Sequence, residues 1–234
     1  MYKSIGIMTH WPDRDRAHFQ AYYESDHAPL AIHFFPFAKY VRNHLQDLPQ
    51  LDFDTLSEFW SENFTAIGTL MAGDVGRIMR EDELRFMDRD KIRSAPTAEH
   101  GLWGPPRNEE ATPTTRLALL LGRDESLDDT ALLQRITPWA QQAAAGAHGA
   151  VRRASVDILA PYPGTTFPYA AVLWFDLTGD TSPDISMPPA GVILLGRTRV
   201  RSCETTTATM TAARAREATG FDIARARREK DAAR

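Results

Sequence analysis

Over the first hundred residues, strand-period and helix-period segments alternate in one fixed order, and that order limits the fold more than any other feature of the chain. Tyr2 to Thr9 is short, apolar and β-branched enough for a strand. Trp11-Pro12-Asp13-Arg14 breaks it, with Asp13 placed to cap a helix. From Asp15 to about Asp26, Phe19, Tyr22 and Tyr23 recur at helical spacing, and Pro29 lies just beyond, where a helix bends or stops and restarts. Phe34-Phe35-Pro36-Phe37 is a dense apolar turn. Lys39 to Leu45 alternates as a second strand, Leu48-Pro49-Gln50 is a loop, and Phe53 to Trp60 reads as a third strand. Asn63 to about Arg80 is helical, with Phe64, Ile67, Leu70 and Met71 on one side. Glu81 to Met87 continues it as a short second helix, and Ile92 to Leu102 carries the fourth strand signal.

That β-α-β-β-α-β order is the split arrangement of ferredoxin-like domains. Trp103 to Pro113 then shifts to breakers and charge, and reads as a linker. The second half repeats the order imperfectly. Thr115 to Gly122 is a strand, Leu127 to Ala145 a helix broken near Pro138, and Ala150 to Leu159 and Tyr169 to Leu177 two more strands. Thr178 to Pro189 stands where a second helix belongs and is too short and too broken to form one; Gly191 to Ser202 is the last strand. The expected fold is α+β: tandem ferredoxin-like βαββαβ domains, residues 1–103 and a degenerate repeat at 114–203, followed by an Ala/Arg/Glu-rich helical tail at 204–234. A sheet covered by helices on one face must bury its other face. Packing the two sheets face to face gives an intrachain, pseudo-dimeric α/β barrel with an apolar central cavity suited to a small molecule.

Composition narrows the function classes. The net charge of −4 argues against a nucleic-acid partner, which needs a basic footprint. The single cysteine, Cys203, excludes an internal disulfide and fits a reducing cytoplasm. The N-terminal segment lacks the apolar run of a signal peptide, and no segment approaches the ~20 apolar residues of a membrane helix. The expectation is a soluble, cytoplasmic protein with no membrane partner.

Asp26-His27-Ala28-Pro29-Leu30 stands out at the end of the first helix. His27 can exchange a proton near neutral pH; it can equally cap the last carbonyls of its helix. On the second strand Tyr40, Arg42 and His44 share one face and Val41 and Asn43 the other, so only one of Asn43 and His44 can look into a cavity. His27, His33 and His44 fall on a helix end, a turn and a strand with no i,i+4 pair, which gives a metal little support. Asp88 stands before the fourth strand, free to cap, to pair with Arg89 or Arg93, or to approach His27. No Gly-x-Gly-x-x-Gly, Walker or Gly-x-Ser-x-Gly motif occurs.

Four segments together resemble the EthD domain, a family of the dimeric α/β barrel superfamily: Phe19 to Leu30 ending in His-Ala-Pro-Leu, Phe37 to His44, Leu56-Ser57-Glu58-Phe59-Trp60, and Phe86-Met87-Asp88. The second half departs from the pattern, since its helix ends Ala147-His148-Gly149-Ala150. The resemblance implies a cofactor-independent enzyme, a lyase or dehydratase acting on a small aromatic or enolisable metabolite. His27 would be the acid/base, Asp88 or Asp26 would orient it, and Tyr23, Tyr40, Asn43, His44 and Trp60 would contact substrate. It leaves open a haem enzyme ligated by His27 or His44, and a non-catalytic binding module. A homodimer is compatible with the barrel, but no heptad seam specifies one.

Overall fold

The structure is a computed structural model that describes residues 1–47, 51–106 and 114–218. The expected loop at 48–50, most of the linker and the tail beyond 218 lie outside the described residues. The elements are β1 (Tyr2–Met8), α1 (Arg16–Tyr22), a π-helical turn (Tyr23–His27), α2 (Ala28–Phe34), β2 (Phe37–Leu45), β3 (Thr55–Ser61), α3 (Phe64–Ala72), α4 (Asp74–Glu83), a 3-10 turn (Arg89–Lys91) and β4 (Arg93–Trp103). They continue with β5 (Thr114–Arg123), α5 (Asp129–Gly146), β6 (Val151–Leu159), β7 (Ala171–Leu177), β8 (Val192–Thr205) and α6 (Thr207–Ala218).

The eight strands close into one antiparallel barrel in the order β1-β3-β2-β8-β5-β7-β6-β4. Each half therefore contributes four neighbouring strands. The halves join edge to edge, at β2–β8, where His44 pairs with Arg201, and at β4–β6, where Glu99 pairs with Asp157. Among the described residues, closure leaves no barrel strand with an unpaired edge.

Helices cover both outer faces. On the first sheet, Phe19, Tyr23, Leu30, Tyr40, Met79 and Phe86 form one apolar cluster, with Met210 of α6 packed onto it. On the second, Leu132, Ile136, Trp139 and Ala143 of α5 bury against Leu117, Leu119 and Leu173. Each fully buried large side chain contributes about 1.5–3 kcal/mol. That stripe spans Pro138 and holds α5 continuous through it, so the break expected there does not occur. Among the described residues no helix lies between β7 and β8, and none is long and apolar enough to cross a membrane.

The lumen differs from the apolar cavity expected of it. One end is filled by Ile5, Leu56, Leu120, Val172 and Trp174. The rest holds charge: Lys3 lies 2.7 Å from Glu58, 3.0 Å from Glu99 and 2.8 Å from Asp157, and Arg116 lies 2.5 Å from Glu58 and 2.8 Å from Asp176. Arg153 reaches Glu99 at 2.5 Å. Three of these six pairs cross from one half to the other. Burial pushes Asp157 up against the pull of Lys3, because desolvation disfavours the charged carboxylate.

α3 and α4 meet at a tight corner. A Cβ on Gly76 would stand 1.8 Å from the Met71 carbonyl oxygen. Gly76→Ala is therefore expected to push α4 outward and destabilise the chain by about 1–3 kcal/mol, read by urea unfolding. An unchanged midpoint would show that the corner yields freely.

Candidate active site

The chain places His27 at the end of the π-helical turn, buried between the helices and the outer face of the first sheet. Its Nδ1 lies 2.6 Å from Asp82 Oδ2 on α4. A carboxylate only accepts, so Nδ1 carries the proton and Nε2 keeps its lone pair. The Tyr22 hydroxyl donates to the other Asp82 oxygen at 2.9 Å. Edge contacts from Tyr23 and packing from Phe86 fix the imidazole plane, with ring centroids at 5.1 and 5.0 Å. Nearby Glu83 is pushed up by burial, against the charges of His27 and Arg89.

The carboxylate on His27 is thus neither of those expected. Asp88 accepts from the Asp90 amide at 3.2 Å, faces Lys91 at 3.8 Å and caps the 3-10 turn. Asp26 accepts from the Ser25 hydroxyl at 2.5 Å. Asp82 went unnoticed because it lies 55 residues from His27. Its signal was a lone acid on the stripe Val75, Met79, Asp82, Phe86, at helical spacing.

The other expected contacts divide between two faces of the sheet. Tyr23, Tyr40 and His44 join His27 under the helices. The Tyr40 hydroxyl donates to Tyr23 at 2.9 Å, and Tyr23 shares a hydrogen bond of 2.8 Å with Ser57. Burial pushes the Tyr23 phenol up to about 12 and Tyr40 well above its usual value. Asn43 and Trp60 face the lumen instead. Asn43 Nδ2 donates to Glu58 and the Leu56 carbonyl, and the Lys3 ammonium lies 4.6 Å from the Trp60 ring centre. Both are structural members of the charged network and do not contact the His27 site.

His44 sits in a second polar group. Its Nε2 donates to Glu24 Oε1 at 2.6 Å, and Nδ1 accepts from Thr55 at 2.8 Å. Arg42 grips Glu24 with two bonds of 3.1 and 2.6 Å. Burial opposes the Glu24 charge, but bonds from His44 and Arg42 outweigh it and hold the carboxyl at about 2. Burial also lowers His44, so Arg42 is the charged partner and His44 a neutral donor. The folded value of Glu24 lies below its ordinary 4.5, so its contribution is full above that range and is lost as pH falls through about 2. Glu24→Gln is expected to destabilise the chain by about 1–3 kcal/mol at neutral pH, with the gap from the parent chain closing toward pH 2 in urea titrations. A gap that persists at pH 2 contradicts this account.

Glu24, His44 and Cys203 each bring one ligand atom to within 4.8 Å of the others. However, Arg42 holds the carboxylate and Arg201 Nη1 lies 3.0 Å from Cys203 Sγ. Two guanidinium groups stand against a cation there. Haem ligation by His44 is not favoured either, because both of its ring nitrogens are engaged.

Residues 12–90 match the family model of the EthD domain. The match falls in the N-terminal part of the chain. His27, Asp82, Tyr23, Tyr40, Glu24 and His44 all lie within it. No curated protein matches the chain. Among solved structures, an anthrone oxidase-like protein is 10% identical, with 88% of this chain and 93% of that chain covered and a TM-score of 0.57. A monooxygenase-like protein from Lactobacillus acidophilus NCFM is 8% identical, covering 88% and 96%, with a TM-score of 0.48. A mutant chlorite dismutase from Candidatus Nitrospira defluvii in complex with cyanide is 8% identical, covering 91% and 94%, with a TM-score of 0.49. At these identities the likeness to the first is one of fold.

Proposed function

We propose that the EthD domain of this chain is a cofactor-independent enzyme that uses His27 as general acid/base, oriented by Asp82, on a small aromatic or enolisable metabolite. The observation that carries the reading is the buried 2.6 Å bond between His27 Nδ1 and Asp82. A carboxylate in that position fixes the tautomer and stabilises the imidazolium that forms on proton transfer. The reaction class is a dehydration. Nε2 takes the proton beside an activated carbonyl, the β-hydroxyl leaves, and the imidazolium returns the proton to it as water. Phe19, Tyr23 and Phe86 pack on one another around the imidazole and keep its surroundings apolar.

The repeat of spatial strand order, β4-β1-β3-β2 beside β8-β5-β7-β6, supports a diverged duplication in which the second half kept its sheet. With the dyad supplied by the first half alone, the proposal is one active site per chain. The test is product formation on a panel of β-hydroxy carbonyl and phenolic compounds, run beside His27→Gln. Turnover by the parent chain that is lost in a folded His27→Gln supports the reading. Equal turnover by both removes His27 from the chemistry.

A further inference from the structure

The β2–β8 seam carries a cleft that the His27 chemistry does not use. Its volume is about 440 Å³, and it is lined by Arg16, Ala17, Gln20, His44 and Leu45 of the EthD domain together with Arg201 of β8. Its charges are unequally matched. Arg16 Nε bonds Asp54 Oδ1 at 2.7 Å and its Nη1 donates to the Asp47 carbonyl. Arg42, behind His44, is neutralised by Glu24. His44 is held neutral by burial. Arg201 is exposed and bonds Cys203 Sγ, and among the described residues no carboxylate reaches it. The cleft therefore presents one uncompensated guanidinium across from the exposed Ala17 on α1.

We propose that this cleft binds the carboxylate of a small organic acid, with Arg201 as the residue that holds the anion. A guanidinium presents parallel donors that match a carboxylate. One uncompensated positive charge suits one negative charge; a phosphate dianion calls for a second, and Arg16 is already spent on Asp54. The size falls in the range of small-molecule sites, about 300–1,000 Å³. Because Arg201 comes from the second half and pairs with His44 across the seam, the site exists only where both halves meet. The proposal rests on the charge and shape of the cleft and stands independently of the His27 reading.

The full chain titrated with benzoate, followed by the His44 ring proton resonances and by calorimetry, provides the test. Saturable binding is expected. Arg201→Gln should weaken it about tenfold or more, the scale of a charge-assisted bond. Arg197→Gln removes the same charge from an exposed position on the same strand outside the cleft and should leave binding unchanged. At equal ionic strength inorganic phosphate should bind more weakly than benzoate. The proposal is overturned by absence of saturable binding, by unchanged affinity in Arg201→Gln, by an equal loss in Arg197→Gln, or by phosphate binding more tightly than benzoate.

Discussion

A chain carrying Asp82→Asn is expected to keep its fold and to lose turnover by about 10²–10⁴-fold, and His27→Ala to lose turnover over the same range. The Asp82 carboxylate accepts from two donors, His27 Nδ1 and the Tyr22 hydroxyl. An asparagine of the same shape can present its NH₂ to the imidazole, which then places its proton on Nε2, the nitrogen that accepts one in the proposed reaction. The imidazolium formed during reaction also loses its counter-charge. Weakening a buried charge-assisted bond also costs about 1–3 kcal/mol of stability, so turnover is compared in a variant shown to be folded. The readout is turnover on whichever panel compound the parent chain converts, with circular dichroism as the control for folding. Turnover within a few-fold of the parent chain in a folded Asp82→Asn would falsify the dyad.

Arg116→Met is expected to lower the unfolding free energy by about 3–5 kcal/mol, which for a chain of this size moves the thermal midpoint by roughly 10 °C. Arg116 is fully buried, donates to Glu58, Asp176 and Asn43, and lies 3.9 Å from the Trp174 ring centre. Methionine keeps much of the volume and the ring contact but leaves Glu58 with Lys3 as its charged partner and strips Asp176 of its closest one. An isolated buried carboxylate is the costly outcome, because the interior cannot replace its lost hydration. Denaturant titration measures the effect; a change below 1 kcal/mol would show that the lumen re-solvates easily.

The period of the sequence carried the order of strands and helices because each element buries one face against a single layer. The Lys39–Leu45 alternation correctly separated Tyr40, Arg42 and His44 from Val41 and Asn43. It could not say which face held the His27 pair. The side of the sheet covered by helices took the histidines, and the lumen took Asn43 and Trp60. Lys3, Glu58 and Arg116 each look like surface residues in isolation, and their burial becomes visible only when eight strands close and bring opposite charges into register. Asp82 was hidden for a related reason: a carboxylate on a helix stripe gains meaning from a histidine supplied by a different helix. The helix through Pro138 shows the reverse error, in which a local breaker was overruled by tertiary packing on both sides of it.

Barrel closure also settles what becomes of a truncated gene. A product ending at residue 106 would carry all of the residues that match the EthD model, His27 and Asp82 included. It would also carry raw hydrogen-bonding edges on β2 and β4, which the second half covers with β8 and β6. Lys3, Glu58 and Glu99 would lose Asp157, Arg116 and Arg153 and open to water. Such a fragment has the means to seek another copy of itself, strand against strand, so expressing the N-terminal half alone is a route to association or aggregation rather than to a smaller stable protein.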